Sequence, residues 1–549
     1  HEAYASSHFI VGLEGEVLQC VPLSEIAYAS NDRNSDTVSI EVCHPDETGK
    51  FGSKSYDSLV KLTAWLLDSS GLKPEAVFYY FEQICAIPHG SGNTKMISDH
   101  LVEFAKKHDI RYIQDELNNV IFFQEGTCGM ENHAPVIIQG HSDMVCEKDA
   151  DCPIDMATEG LDVTHDGKYV FAKGTTLGGD DGIAVAFAMA ILADKSIPHP
   201  PLEVIITVDE EIGMLGADVI DLSMLKGKTL VNLDSEEEGI FTVSCAGGMD
   251  YTMTRALTRE TLSGETVTFD VKGLLGGHSG TDIDLGRTNA DKLIARAVLA
   301  VLKDKDARLV SFVGGTKGNA IPREAEAVLW FPTADKAAAA EDTLKALGDA
   351  FTHEIHALEP GIDVTVTRAA ANDISVMSRE DTEAVVSAIV LSPNGVQTRD
   401  PLMDNFVISS LNLGIVNVDG DEAVLGFAPR SSVDSLMDAI TNELDLTAKT
   451  FGFETEVSGA YPGWEKVENS VLCDTMKESY RDLFGGELKV EGIHAGLECG
   501  LFYANLPGLD PVSIGPTMRG VHTPDEKMDL QSCDKFYKLV VDVLERLAK

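Results

Sequence analysis

Basic residues are scarce in this chain. It has 43 Lys and Arg against 89 Asp and Glu, and a formal net charge of −46 over 549 residues. A surface this acidic repels nucleic acids and anionic membranes, so we expect neither as a partner. Long apolar runs are also missing. The longest, from Ile183 to Ala193, is too short to span a bilayer, which needs about 20 residues.

Paired cysteine motifs are absent as well. The ten cysteines are scattered, and no two of them form a CxxC motif. Cys146 and Cys152 have five residues between them, which is not a standard zinc spacing. We interpret the cysteines as reduced thiols and expect a cytoplasmic protein.

Two changes of pattern divide the chain into three predicted domains. Residues 1–73 contain a hairpin pattern, a further strand and an amphipathic helix over 55–72. From residue 74, helices alternate with short apolar strands, which predicts a parallel sheet with helices on both faces. Longer alternating strands begin near residue 248, and the α/β pattern returns at about 458. We predict an α/β protein with a mixed or parallel sheet in 74–247 and 458–549, and an α+β domain inserted over 248–457.

The segment TTLGGDDGIAVAFAMAIL, residues 175–192, places two aspartates directly before an apolar helix. Burying Asp180 and Asp181 against such a helix is unfavourable unless a positive group meets them. The segment itself contains no Lys or Arg. The positive partner must therefore come from elsewhere.

Potential metal ligands follow four predicted strands. GHSDMV follows APVIIQ, DEEIG follows LEVIITV, Asp234 follows TLVNL, and PVSIG leads on to His522. Because sites in open α/β sheets form beyond the carboxyl ends of the strands, we expect these groups and Asp180 to meet at one edge of a sheet. Histidine and carboxylate groups are ligands that Zn²⁺ accepts. Among the candidates, Asp180, Glu211 and Asp234 carry three negative charges. These charges favour two divalent ions, because a single ion would neutralise only part of them.

Each motif is common by itself, but the set in this order resembles the M20 family of co-catalytic zinc peptidases, in its aminoacyl-histidine (Xaa-His) dipeptidase branch. The resemblance covers residues 74–549 and implies a zinc-peptidase catalytic domain with an inserted lid domain. The motifs that carry it are GHSDMV (140–145), LGGDDG (177–182), TVDEEIG (207–213), NLDSEEEG (232–239), GGHSG (276–280), GTKGNAIPREA (315–325), RSSVDS (430–435), YPGW (461–464), HAGLECG (494–500) and HTPDE (522–526).

The resemblance implies two divalent metal ions, with Zn²⁺ expected and Mn²⁺ or Co²⁺ able to substitute. His141, Asp180 and Asp234 would hold one ion. Asp180, Glu211 and His522 would hold the other, so that Asp180 bridges them. These ions would be the positive partner that the segment 175–192 requires.

Further roles are implied around these ligands. Asp143 would hydrogen-bond His141 and set its tautomer, and Glu210 would be the general base that passes a proton from water to the leaving amine. We also expect a cis peptide bond between Asp180 and Asp181, as is typical of the family. The motif here is Gly-Asp-Asp where the family commonly has Ala-Asp-Asn, a departure that leaves the ligand itself unchanged.

Residues 248–457 resemble the lid of the family, which implies a homodimer formed through this domain. His278 resembles the lid histidine that stabilises the oxyanion, often in the site of a partner subunit. An Arg suits the free carboxylate of a dipeptide because its planar fork binds carboxylates bidentately. The implied substrate-binding positions are Asn319, Arg430, His494 and Gly496.

Residues 1–73 resemble the middle of an N-acetylmuramoyl-L-alanine amidase domain, on the segments SSHFIVGLEGEVLQCVP and SIEVCHPDETGKF and the helix that follows. That family takes its zinc ligands from segments that would precede His1 and follow Leu72. We therefore expect an inactive, partial amidase-like fragment.

The leading hypothesis is a metal-dependent dipeptidase that hydrolyses unblocked dipeptides, Xaa-His among them. Two alternatives remain open. One is an M20-type deacylase or aminoacylase, which would accept acylated substrates. The other is a cell-wall-associated protein that uses the amidase-like fragment for targeting.

Overall fold

The computed structural model describes residues 7–14, 16–21, 39–43, 54–55, 58, 62, 74–302, 306–403 and 405–548. The chain forms two compact units, His1–Tyr80 and Phe81–Lys549. No helix within the described residues is long and apolar enough to cross a membrane. All ten cysteines lie in described parts of the chain, and each has a free thiol.

The first unit contains a three-stranded sheet with the spatial order Val17–Gln19, Phe9–Val11, Ile40–Val42. The first two strands are antiparallel, and the second pair is parallel. Phe9, Val11 and Leu62 form a small apolar core. The predicted hairpin and third strand are confirmed. Most of the predicted helix over 55–72 lies outside the described residues, as does Gly15 in the hairpin turn.

The helices of the described residues from position 74 onward lie between and beside the strands of two large sheets. They are Pro74–Cys85, Lys95–His108, Gly179–Ala193, Leu215–Val219, Ala290–Leu302, Ala334–Ile355, Arg379–Leu391, Asp434–Phe451, Val471–Phe484, Glu498–Asn505 and Leu530–Arg546.

An eight-stranded mixed sheet carries four parallel strands at its centre. One edge is an antiparallel hairpin, and the other edge is a parallel pair that runs antiparallel to the centre. Its spatial order is Lys489–Ile493, Ile240–Cys245, Asp510–Ser513, Thr229–Asn232, Val136–His141, Leu202–Thr207, Val120–Gln124, Arg111–Gln114. The prediction of a mixed or parallel sheet is confirmed.

The central strands are continuous apolar runs because both faces of the sheet are covered. Every residue of Val136–His141 and of Leu202–Thr207 is buried. The helix Gly179–Ala193 packs against Val136–His141 and is buried from Gly179 to Leu192. This arrangement presses the aspartates at its start against the carboxyl end of the strand.

A nine-stranded antiparallel sheet is built from strands between residues 247 and 461. Its apolar side packs with helices into one large core. The spatial order is Asp363–Met377, Arg259–Lys272, Ala325–Phe331, Arg308–Gly314, Phe406–Val418, Glu422–Ser431, Gly247–Ala256, Glu454–Tyr461, with Gly395–Asp400 beside Phe406–Val418. The domain boundaries at 248 and 457 stay predictions.

Two small sheets hold further segments in place. Gly277–His278 pairs with Ala320–Ile321. The other sheet has the order Met518–Arg519, Lys527–Asp529, Tyr169–Ala172, Val163–His165, and His522 lies in the loop between its first two strands.

Candidate metal centre

His141 is the last residue of a central strand, and its side chain is 1% exposed. Its Nδ1 lies 3.0 Å from the backbone oxygen of Asp143 and 3.4 Å from the Oδ1 of that residue. These contacts direct Nε2 outward, 3.1 Å from Asp180 Oδ1 and 3.8 Å from Asp234 Oδ1. The second nitrogen of a metal-binding histidine is commonly fixed in this manner.

Asp180 faces two histidines with different oxygens. Its Oδ1 contacts His141 Nε2 at 3.1 Å, and its Oδ2 contacts His522 Nε2 at 3.2 Å. His522 Nε2 is also 2.9 Å from Glu211 Oε1. The Asp180–Asp181 peptide bond is cis, as expected from the sequence. One carboxylate thus lies between two groups of ligands.

The five predicted metal ligands come together in the structure. Asp234 and Glu211 follow the central strands Thr229–Asn232 and Leu202–Thr207, and their carboxylates approach His141 and His522 respectively. Hydrogen bonds to Asp180 and Glu211 raise the pKa of His522 to about 10. Burial raises the pKa of Asp180, but the hydrogen bonds to His141 and His522 outweigh this effect and lower it.

Asp181 is a second candidate for a metal-ligand position that the sequence assigns to Asp180. Ligand atoms of His141, Asp181 and Asp234 lie within 4.8 Å of one another, as do those of His141, Asp180 and Glu211. Asp181 Oδ2, however, already accepts a hydrogen bond from the backbone N–H of His141 at 3.2 Å. Asp181 is fully buried, and this hydrogen bond connects its carboxylate to the last residue of the strand.

The donor set fits two divalent cations. It combines imidazole nitrogen with carboxylate oxygen, the ligands of catalytic zinc sites. Among the described residues, the ion-pair partners of Asp180 are the two histidines. Neither pair contains a lysine or an arginine. Because buried carboxylates are unfavourable without positive charge nearby, this region requires a further source of positive charge.

Glu210 adjoins the ligands in a turn that Asp143 organises. The Asp143 carboxylate is fully buried and accepts the N–H of Glu210 at 3.0 Å, the N–H of Glu211 at 3.4 Å and the Ser91 hydroxyl at 2.8 Å. Burial raises the pKa of Glu210 to about 7, and the neighbouring charge of Glu211 adds to the effect. A pKa near neutrality suits a group that both accepts and returns a proton.

His278, the predicted oxyanion-stabilising residue, and the predicted substrate-binding residues form a second group. His278 N–H donates to Asp282 Oδ2 at 2.9 Å, and the next residue, Ser279, donates its N–H to Asn319 O at 2.8 Å. His494 Nε2 lies 2.7 Å from Ser410 Oγ, and Ser410 pairs with Arg430 in the antiparallel sheet. The pKa of His494 is lowered to about 3 by burial and by the charge of Arg430.

Arg430 lies at a cavity of about 420 Å³ that Asn319, Asp250 and Tyr461 also line. The arginine is 8% exposed. Its Nη1 donates to the Tyr461 hydroxyl at 2.8 Å, whereas its buried Nε has no partner among the described residues. Gly496 leaves room for the Tyr461 ring, since a Cβ there would lie 2.7 Å from the ring. A buried guanidinium with a free donor is suited to a carboxylate ligand.

Comparison with known proteins places the chain in a family. The family model described as Peptidase family M20/M25/M40 matches residues 137–546. The chain is also 37% identical over 484 residues to the cytosol non-specific dipeptidase of Escherichia coli strain K12, covering 87% of this chain and 99% of that protein. The chain belongs to peptidase family M20/M25/M40. It is therefore a hydrolase.

Solved structures support the membership of this chain in the M20 family. The crystal structure of aminoacylhistidine dipeptidase from Vibrio alginolyticus superposes with a TM-score of 0.82 at 36% identity, over 86% of this chain and 97% of that one. An aminopeptidase from Bacillus cereus, at 16% identity and a TM-score of 0.50, shares the fold over 87% of this chain and 99% of its own.

The N-terminal part of this M20 peptidase matches a second family model, described as N-acetylmuramoyl-L-alanine amidase, over residues 1–109. The resemblance to an amidase is thereby confirmed. The match runs past the predicted boundary at residue 73 and overlaps the helices Pro74–Cys85 and Lys95–His108.

Two buried glutamates near the metal ligands were not identified as site residues from the sequence. Glu498 Oε2 accepts from Gln139 Nε2 at 2.5 Å and from Thr207 Oγ1 at 2.7 Å, and Gln139 Oε1 accepts from Asn232. The three partners belong to the central strands of the M20 sheet. Glu526 accepts backbone N–H groups of the loop before Asp180. Glu498 lies in the motif HAGLECG and Glu526 lies in the motif HTPDE. Their positions inside these motifs are the sequence feature that could have identified them.

We predict that the metal-stripped M20 peptidase loses stability as the pH rises from about 6.5 to about 8. Burial raises the pKa of Glu498 to about 8 and the pKa of Glu526 to about 7. In the unfolded chain both carboxyl groups ionise near the ordinary value of 4.5. Above that pH the folded state therefore binds more protons than the unfolded state, and stability falls with rising pH until the groups ionise in the folded state as well. The unfolding midpoint with chelator present should drop by a few degrees. Histidines with lowered pKa, such as His494, act in the opposite direction below about pH 6.5, where the unfolded chain binds protons at these residues.

Glu498→Gln provides the control for this pH effect. The glutamine oxygen can accept from Gln139 and Thr207, while its amide occupies the place of Oε1, which has no partner among the described residues. This variant should show a shallower slope of unfolding midpoint against pH. A midpoint that rises with pH in the wild type would contradict the prediction.

Proposed function

We propose that this M20 peptidase is a dipeptidase with two divalent metal ions that hydrolyses unblocked dipeptides, Xaa-His among them. The observation that carries the proposal is Asp180, whose two oxygens face two different histidines. The names of the relatives support it: one is a cytosol non-specific dipeptidase and the other an aminoacylhistidine dipeptidase. We place the protein in the cytoplasm on the same basis.

His141, Asp180 and Asp234 would hold one ion, and Asp180, Glu211 and His522 would hold the other. Zn²⁺ is the expected metal, with Mn²⁺ or Co²⁺ able to substitute. When bound, such ions polarise the scissile carbonyl and make water more acidic.

The side chains of the chain itself perform the proton transfers. Glu210 accepts a proton from the attacking water and returns it to the leaving amine nitrogen. Asp143 supports this step by holding the turn that carries Glu210 and by fixing the ring of His141. His278 donates a hydrogen bond to the developing oxyanion. We place this contribution in the site of a partner subunit, in a homodimer formed through the domain of residues 248–457.

Arg430 binds the free carboxylate at the C-terminal end of the dipeptide. Its buried Nε lacks a partner among the described residues and its Nη1 reaches Tyr461, so a carboxylate completes the set of contacts. Asn319 lines the same cavity, and His494 and Gly496 line the side that receives the C-terminal residue. The amidase-like fragment of residues 1–73 has no catalytic part in this proposal.

Release of free histidine from a panel of Xaa-His dipeptides, β-Ala-His included, tests the proposal. Hydrolysis should require added Zn²⁺ or Mn²⁺ and should stop when a chelator is added. A folded protein with two bound metal ions that hydrolyses no dipeptide would overturn the proposal.

The same assay separates the alternatives. N-acetyl dipeptides should react much more slowly than free dipeptides, because a dipeptidase recognises the free amine. Preference for the acetylated form would point to a deacylase. Binding to peptidoglycan that disappears when residues 1–73 are deleted would favour the cell-wall-associated alternative.

We predict that Arg430→Lys raises KM for dipeptides by about 10–100-fold, the effect of losing one good charge-assisted contact. Lysine keeps the positive charge but cannot form the planar, paired hydrogen bonds of a guanidinium. A dipeptide amide lacks the C-terminal carboxylate, so it tests whether the effect of the substitution depends on that carboxylate. Wild type and Arg430→Lys should hydrolyse it at similar low rates, and a variant with unchanged KM for the free dipeptide would refute the assignment.

A further inference from the structure

Glu526 makes three hydrogen bonds to consecutive backbone amides. Its side chain is buried, at 2% exposure. Oε2 accepts the N–H of Leu177 at 2.8 Å and of Gly178 at 3.2 Å, and Oε1 accepts the N–H of Gly179 at 2.8 Å. One carboxylate therefore satisfies three adjacent donors of a loop that is distant in sequence.

This contact joins two segments that carry metal ligands. The three amides directly precede Asp180, and Glu526 follows His522 by four residues in the motif HTPDE. Asp180 Oδ2 and His522 Nε2 are 3.2 Å apart. The separation of these two ligand atoms thus depends on how the two segments are joined, and Glu526 is the buried side chain that joins them.

The loop before Asp180 is poorly restrained by its own sequence. It contains Gly178 at φ +66° and Gly179, and glycine has more backbone freedom to lose than any other residue. Gly179 is also tightly enclosed, because a Cβ there would lie 3.2 Å from Glu526 Oε1 and 3.1 Å from Met518 Sδ. A glycine loop that must present a ligand accurately requires restraint from outside.

We propose that Glu526 is a positioning residue that holds Asp180 in register with His522 and thereby sets the affinity of the centre for divalent ions. The inference rests on the two-metal site of the proposed function. It assigns Glu526 no contact with metal or substrate. Its effect passes through the backbone of residues 177–179.

Glutamine is the informative replacement because it keeps the size of the side chain. Its single oxygen can replace Oε2, but its amide group would then face the N–H of Gly179, donor against donor. Loss of a supporting hydrogen bond of this kind typically weakens metal binding by about 10–100-fold. We expect that loss in Glu526→Gln, together with faster hydrogen exchange of the amides of residues 177–179.

Glu203→Gln is the matched control. Glu203 is 5% exposed and also accepts backbone amides, those of Lys226 at 3.0 Å and Gly227 at 2.9 Å. It lies at the start of the strand Leu202–Thr207, away from the end that leads to the metal ligands. This variant should lose stability and keep the metal affinity of the wild type.

The experiment titrates Zn²⁺ into metal-stripped full-length protein by calorimetry, with thermal unfolding measured on each variant. Weakened Zn²⁺ binding in Glu526→Gln but not in Glu203→Gln supports the proposal. Wild-type affinity in Glu526→Gln, or equal weakening in both variants, overturns it.

Gly179→Ala perturbs the same contact from the loop side. It tests the proposal if Glu526→Gln does not fold. It should weaken Zn²⁺ binding by displacing the carboxylate, and unchanged affinity would overturn the proposal. These readouts do not involve hydrolysis. A protein that binds two ions and cleaves no dipeptide would therefore refute the proposed function without refuting the role of Glu526.

Discussion

Replacement of Glu210 by glutamine is expected to lower kcat for dipeptides by about 10²–10⁴-fold, the usual contribution of a positioned general base. Glutamine cannot accept a proton from water or carry it to the leaving amine. It leaves the proposed metal ligands intact, so metal content should stay at the wild-type value. Steady-state kinetics combined with metal analysis of the purified variant measure both quantities.

The pH dependence of the wild type should report the same group. The pKa of Glu210 is raised to about 7, by burial and then by the charge of Glu211. Bound cations favour the carboxylate and lower that pKa. The acid limb of kcat/KM should therefore fall at or below about pH 7, with activity lost as Glu210 becomes protonated. The residual activity of Glu210→Gln should lack this limb.

Glu236→Gln is the control for the Glu210 prediction. Burial, followed by the charge of Asp180, also raises the pKa of Glu236, yet this residue has no role in the proposed proton transfer. Its replacement should leave kcat close to the wild-type value. A Glu210→Gln variant that retains its metals and turns over within about tenfold of the wild type would exclude Glu210 as the base.

The clustering of the candidate metal ligands could be predicted from the sequence because strand geometry is local. Apolar runs such as VIIQ and VIIT indicate buried strands of a sheet that is covered on both faces. The residues that follow each run then lie at the carboxyl edge of that sheet. The rule locates the segments that contain His141 and Glu211, and the family motifs select these two residues among the candidates. Asp180 is indicated because a buried carboxylate requires a positive partner, and in the structure its two oxygens contact His141 and His522.

The residues that support the ligands could not be predicted in the same way. Glu498 and Glu526 act on segments that are hundreds of positions away in sequence, and no local pattern distinguishes a buried glutamate from a solvated one. The antiparallel edge strands of the eight-stranded sheet were also not predicted. The direction of an edge strand depends on long-range pairing, which hydrophobic periodicity does not encode.

In the region of residues 248–457, the strands could be predicted from the sequence, but the site residues could not. Its alternating strands were visible in the sequence, and the structure shows one antiparallel sheet there. The site residues His278 and Arg430, by contrast, were assigned through motifs of the family. The structure brings them into one group with His494, and their roles stay predictions.

The second large effect is expected for Asp180→Asn, which should reduce the metal content from two ions to at most one and abolish measurable hydrolysis. The carboxylate presents Oδ1 to His141 and Oδ2 to His522. Asparagine has one oxygen, so it can serve one side only, and its amide group would repel a cation on the other. Elemental analysis after dialysis gives the stoichiometry, and Zn²⁺ titration gives the affinity that remains.

Asp181→Asn is the matched control, because Asp181 lies across the same peptide bond and is also buried. Its Oδ2 is already engaged by the N–H of His141, and an amide oxygen can accept that bond. This variant should therefore bind two ions. If Asp181→Asn loses its metals and Asp180→Asn keeps them, the bridging role belongs to Asp181, and the grouping of His141, Asp181 and Asp234 becomes the true ligand set. Loss of both ions only in Asp180→Asn would instead establish that a single carboxylate organises the whole centre.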